Sequence, residues 1–261
     1  MERCTLICKI LWVAAVLLTS SAGCQHVGTP SMIPGMSGTL DDSSGKLKPK
    51  QAADVQIALA RSLEMHGETE KAMAMYEEAV KKDPNRGDAW RRLAILHDQQ
   101  GHFGESAGMY QKALKAQPGS AEIYCDMGYS LYLQGRCSEA EMNLRQALAL
   151  QPDHARAHNN LGMLLARTGK EEEALDEFHK AGCRDTEAQI NLAFALTLEN
   201  RFPEAKLHYQ LALQSDPSSV QAKKALQELE QVLARIDSAT AANRGQASDA
   251  AVAPTHWTPG P

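Results

Sequence analysis

The chain has 261 residues, of which 43% are hydrophobic, 23% charged and only 5% aromatic. That aromatic-poor balance, rich in Ala and Leu, points to an all-helical globular protein. A formal net charge of −5 offers no basic field to a polyanion, which argues against nucleic acid as a partner.

The N-terminus opens with Arg3 and Lys9, followed by an apolar run over residues 10–18. The run is well short of the roughly 20 residues that a helix needs to span a bilayer. Small residues then lead to Cys24, so residues 1–23 are expected to be a signal peptide. The stretch SSAGC resembles the lipobox of bacterial lipoproteins, although Ser21 stands where that box usually carries Leu. The resemblance implies a diacylated Cys24 that anchors the protein to a membrane. Gln25 follows it, not the Asp that retains many such proteins at the inner membrane, so the resemblance implies the periplasmic side of the outer membrane. Residues 24–52 are small, polar and proline-bearing, the composition of a disordered tether. Cys125, Cys137 and Cys183 remain beyond it; their spacing fits no zinc pattern, and they are expected to be packing residues.

From Ala53 the sequence repeats at a period of 34. Gly67, Gly101, Gly135 and Gly169 lie in register, with Asn200 in the corresponding place of a fifth unit. Ala72, Ser106, Ala140, Ala174 and Ala205 form a second column, and Ala79, Ala113, Ala147, Ala181 and Ala212 a third. Pro84, Pro118, Pro152 and Pro217 close four of the units. Large core positions are Leu59, Leu93, Met127, Leu161 and Leu192, together with Tyr76, Tyr110, Leu144, Phe178 and Tyr209.

These columns resemble the tetratricopeptide repeat, a helix–turn–helix unit. The resemblance implies an all-α solenoid of five repeats at 53–86, 87–120, 121–154, 155–185 and 186–219. Glycine would end each first helix in a left-handed cap, and proline would stop the second helix. Residues 220–236 are expected to form a capping helix through Val220, Leu226, Leu229, Leu233 and Ile236, and residues 237–261 a disordered tail. The fourth unit is three residues short, so its second helix should end near Ala181, with Gly182 as a left-handed cap.

No phosphate loop, nucleophile elbow or metal-protease helix is present in the sequence, and no catalytic residue, metal or cofactor is expected. His154 and His158 are four apart, but His158 falls in a packing column and no third ligand stands nearby. The acidic run at 170–177 opens a helix, where carboxylates favour the dipole. Binding of proteins or extended peptides is what remains, with no small-molecule substrate. In this family the first helices line a concave groove. By resemblance its wall carries a mixed-charge set in the first two units: Asp54, Arg61, Glu64, Asp88, Arg91, Arg92 and Asp98. Further on it carries Tyr129, Tyr132, Met163, Ile190 and Phe194, with Asn159, Asn160 and Asn191. The carboxylate clamp of chaperone-binding members is missing, whereas Asn160 and Asn191 resemble an asparagine ladder that holds a peptide backbone. The layout of acylated cysteine, tether and repeats is similar to pilotin and tight-adherence pilus lipoproteins, which implies a scaffold recruiting envelope-assembly components. The alternative is a soluble or secreted adaptor without an anchor.

Overall fold

A computed structural model describes residues 47–250, with side chains placed as far as residue 238. Cys24, the signal peptide and most of the tether lie outside the described residues. Within them the chain forms eleven α-helices and no strand, an all-α solenoid. Helices pair as α1 (Pro49–Met65) with α2 (Thr69–Lys82), and α3 (Gly87–Gln99) with α4 (Phe103–Ala116). The next pairs are α5 (Ala121–Leu133) with α6 (Cys137–Leu150), and α7 (Ala155–Arg167) with α8 (Glu171–Lys180). The last is α9 (Asp185–Leu198) with α10 (Phe202–Ser215), against which α11 (Val220–Ala250) packs.

The glycine column works through backbone twist. Gly67, Gly101, Gly135 and Gly169 have φ between +74° and +81°, and Asn200 has φ +60°. A Cβ at any of the four glycines would meet nothing within 4 Å, so space is not the constraint. Left-handed φ selects them, and Asn is the side chain that best tolerates it. The amide after each reaches back to a first-helix carbonyl, as in Glu68 N–H to Leu63 O and Lys170 N–H to Leu165 O, both 2.9 Å. These bonds satisfy carbonyls that the helix end would otherwise orphan.

Small residues set the helix spacing. Ala72, Ser106, Ala140, Ala174 and Ala205 are fully buried, as are Ala79, Ala113, Ala147 and Ala212. Ala181 departs from its column. It is the C-cap of α8, partly exposed, because that helix stops at Lys180 and Gly182 turns the chain at φ +96°. Glu187 then accepts the Arg184 N–H at 2.8 Å and starts α9.

A further small column holds Ala60, Ala94, Gly128, Gly162 and Ala193, all buried. Its identity tracks the large residue opposite. Repeats one and two pair Ala with Tyr, and the ring is tied back by its hydroxyl: Tyr76 Oη donates to Glu64 at 2.6 Å, and Tyr110 Oη to Asp98 at 2.8 Å. Tyr209, across from Ala193, has the Thr197 hydroxyl as its neighbour, and that hydroxyl donates to the Ala193 carbonyl at 2.8 Å. Repeats three and four have Leu144 and Phe178 instead, which carry no hydroxyl and lie over the backbone of the first helix. A Cβ on Gly128 would fall 2.6 Å from Leu144 Cγ, and one on Gly162 2.7 Å from Phe178 Cε1. Only glycine fits beneath them.

Burial pushes the Tyr76 and Tyr209 phenols up to about 12, with the Glu64 hydrogen bond adding to the effect at Tyr76. The fold thus favours the neutral phenol over the ordinary value of about 10. That contribution is complete below pH ~10 and is lost as pH climbs through ~12. The melting temperature should fall across that window, in step with phenolate absorbance. Tyrosines ionising near pH 10 in a still-folded array would contradict this account.

Several expectations are corrected. Leu59 is 46% exposed, because no described hairpin precedes the first repeat to cover it, and Met127 is only partly buried. Helix α1 begins at Pro49, so residues 49–52 belong to the array and not to a tether. Helix α11 does not stop at 236 but runs to Ala250, through a stretch that holds five alanines and also Gly245. It docks through Ala222, Ala225 and Leu229, with Leu226 and Leu233 partly buried, whereas Val220 and Ile236 stay exposed. Cys125 is buried, Cys137 and Cys183 are partly exposed, and none of the three forms a disulfide bond.

Candidate peptide-binding groove

From α3 onward the first helices of successive repeats touch one another, which makes them the continuous inner wall of the stack. Along its N-terminal half the wall is an ion-pair lattice. Arg92 pairs with Glu64, and Arg61 reaches Asp88 at 3.3 Å across the first repeat boundary. Arg86 joins Asp54 and Asp88. The buried Asp126 of α5 is held from both sides, by Arg91 of α3 at 2.7 Å and Arg156 of α7 at 2.9 Å. Glu122 pairs with the same two arginines. Asp98 accepts from Ser130 Oγ at 2.9 Å as well as from Tyr110.

Opposite charges about one repeat period apart therefore neutralise one another. The mixed-charge face is a set of staples between repeats more than a surface awaiting a ligand. A recess of about 480 Å³ lies among Arg61, Glu64, Met65, Asp88, Arg91 and Arg92, and its cations are already paired.

The C-terminal half differs. Tyr129 is 39% exposed, and Met163 and Phe194 are partly exposed. All three hold the same register position in repeats three to five, and partly exposed Ile95 holds it in repeat two. One apolar side chain per repeat thus forms a stripe along the inner wall. Three expected groove residues do not project to solvent: Tyr132 is 5% exposed, Ile190 4% and Asn160 8%. Tyr132 stacks on Tyr129 at 6.0 Å and lies beneath the Arg167 guanidinium at 4.7 Å, while Arg167 Nη1 donates to the Tyr132 carbonyl at 2.6 Å. Burial pushes its phenol up to about 12, against the opposing pull of Arg167. The ring is a floor for Tyr129, not an anchor in its own right.

The asparagine pair also forms differently. Asn191 donates to Asn159 Oδ1 at 3.4 Å and to Cys183 Sγ at 3.4 Å, and Asn160 points its amide at Cys125 Sγ, 3.5 Å away. Sulfur is a weak acceptor, so the partly exposed amides of Asn159 and Asn191 are only lightly engaged. Burial pushes the Cys125 thiol up to about 11, which keeps it protonated and inert.

Both histidines serve the fold. His154 Nδ1 caps α7 by accepting the Ala157 N–H at 3.3 Å, and its Nε2 stands 3.3 Å from Glu122 without hydrogen-bond geometry. His158 faces Glu177 at 2.6 Å and the Pro152 carbonyl at 2.8 Å. Burial opposes ionisation of Glu177, but Lys180 and His158 outweigh it and hold that carboxyl below its ordinary range. Among the described residues no three His, Cys, Asp or Glu side chains are grouped to hold a metal ion. No described helix is long and apolar enough to cross a membrane.

A helical-hairpin solenoid with such an inner wall is a protein-interaction scaffold. Two family models described as tetratricopeptide repeat match residues 53–96 and 125–185 of the chain. No curated protein matches the sequence. Among solved structures it is similar to pilF of Pseudomonas aeruginosa, at 26% identity and a TM-score of 0.53. That likeness covers 74% of this chain and 89% of the other. PilW, a widely conserved type IV pilus biogenesis factor, gives 24% identity and a TM-score of 0.56, covering 70% and 92%. A thermophilic tetratricopeptide-repeat protein of Thermus thermophilus gives 22% and 0.54, covering 69% and 100%. At those identities the last two are likenesses of fold.

Proposed function

We propose that the protein is a non-catalytic scaffold that holds an extended segment of a partner protein along repeats two to five. In this reading it is tethered to the periplasmic side of the outer membrane through an acylated Cys24 and recruits envelope-assembly components. The stripe of Ile95, Tyr129, Met163 and Phe194 is the observation that carries it. Apolar groups lined up on an inner wall lower their free energy when a partner covers them, and aromatic anchors do so at small entropic cost. The charges beside the stripe are already paired, as Arg167 is with Glu199 at 3.0 Å, so the fitting segment is apolar and uncharged at its centre. Asn159 and Asn191 supply amides for its backbone. The anchor rests on the N-terminal sequence alone, and the envelope setting on that sequence together with the likeness to the pilus proteins.

Affinity capture from detergent-solubilised envelopes, with the bound proteins identified by mass, tests both parts. Tyr129→Ala with Phe194→Ala should reduce capture of the dominant partner by on the order of tenfold or more, since truncating a hot-spot anchor costs upwards of ~1 kcal/mol. Undiminished capture, alongside loss in Arg61→Ala, would move the site to the charged half. Cys24→Ala should release the protein from the membrane fraction with the mass of the lipid missing. An unchanged mass would favour an adaptor that carries no anchor.

A further inference from the structure

Helix α4 is weaker than its place in the stack requires. It carries Gly104 and Gly108, whereas α2, α6, α8 and α10 contain no glycine. Glycine inside a helix costs backbone entropy and leaves no side chain to pack. At Gly128 and Gly162 a large side chain overhead demands it. Nothing comparable demands it in α4. A Cβ at either position would meet nothing within 4 Å, and neither residue has the positive φ of the capping glycines.

The packing around α4 is thin as well. Its buried apolar residues, Tyr110 and Ala113, share a small cluster with Ala94 and Ile123 as its other buried members, separate from the larger clusters on either side. Near the end of α3, His97 stands where repeats three to five have the buried Leu131, Leu165 and Leu196. Both of its ring nitrogens are buried and have no hydrogen-bond partner among the described residues. Its ring meets that of His102, just before α4, at 5.8 Å. A polar group buried without a partner lowers stability where it sits. The inner wall, by contrast, is pinned across the same junction without help from α4. Arg91 of α3 pairs with Asp126 of α5 at 2.7 Å, and Asp98 accepts from Ser130 at 2.9 Å.

We propose that α4 is a joint in the array, which opens by itself while α3 and α5 stay joined. Helices α1 to α3 then pivot against repeats three to five about the pinned wall. Ile95 and Tyr129 lie on the two sides of the joint, so pivoting changes the inner wall between them. Opening of this kind is confined to one cooperative unit and needs less free energy than global unfolding.

Hydrogen exchange of the full chain, followed segment by segment by mass spectrometry, tests this. In the parent, the amides of α4 should exchange faster than those of α3 and α6. Gly104→Ala with Gly108→Ala should slow α4 by roughly 5- to 30-fold, the combined effect of two interior glycines, and leave α6 and α8 unchanged. Adding His97→Leu should slow α4 again. Spin labels on unnatural side chains at the exposed positions Lys82 and Met142, on α2 and α6, should give a distance distribution that narrows in the double variant. Equal exchange in α4 and its neighbours, slowing spread evenly over the array, or a distribution that does not narrow would overturn the proposal.

Discussion

Gly162→Ala should destabilise the fourth repeat by about 1–3 kcal/mol, the usual cost of forcing a methyl group into a filled core. The new Cβ would fall 2.7 Å from the Phe178 ring, which is fully buried and has nowhere to retreat. The same alanine is native at positions 60, 94 and 193, so helix propensity cannot be the cause. The difference lies in the tether. Tyr76 and Tyr110 are drawn aside by hydroxyl bonds to Glu64 and Asp98, and the matching position in repeat four is Ala166, which accepts nothing. Adding Phe178→Tyr should therefore fail to restore stability, while Ala166→Asp combined with both should recover most of it. Urea unfolding of the single, double and triple variants reads this directly. A triple variant no better than the double would sink the account.

Asp126→Ala should cost about 2–4 kcal/mol, somewhat under the ~3–5 kcal/mol of a wholly buried pair because Arg156 is half exposed. Asp126 is 7% exposed and receives one arginine from the repeat before and one from the repeat after, so its loss leaves both cations with only the half-exposed Glu122 between them. Asp126→Asn keeps the shape but not the charge, and should recover only part of the deficit. Because the carboxylate is buried, salt should screen the loss weakly. The check is a set of denaturant midpoints at low and high ionic strength. A deficit below ~0.5 kcal/mol, or one that vanishes in salt, would class the pair with ordinary surface bridges.

Columns of glycine, alanine and proline were legible because each answers to one local requirement: a left-handed φ, a close helix approach or a helix stop. The break at Gly182 was legible for the same reason. Environments that depend on neighbours were harder to read. Leu59 belongs to a core column, yet it is 46% exposed because no described hairpin stands before it to pack on. Tyr132 holds a groove position, but Arg167, one repeat later, covers its ring. The ion pairs left a signal in the sequence, opposite charges 27 to 35 residues apart, and comparison across repeats would have found Glu64 with Arg92 and Arg91 with Asp126. The pairing of Ala with Tyr and Gly with Phe or Leu was there as well, two columns that vary together within one chain. Ala222 and Ala225 escaped notice as the docking face of α11, since apolar spacing alone favoured the larger Val220 and Ile236.

The apolar interior is divided unevenly. One cluster runs unbroken from α5 to α11, and a smaller one joins repeat one to α3. A pull on the chain from its N-terminal side enters at α1, the end with the smaller cluster and no described hairpin behind it. Tension there is met by α1 and α2 before it reaches the larger cluster. Drawn out, residues 49–82 would pay out on the order of 100 Å of chain. Stretching at that end would thus spend itself in slack, and the repeats that carry Tyr129, Met163 and Phe194 would feel the strain last.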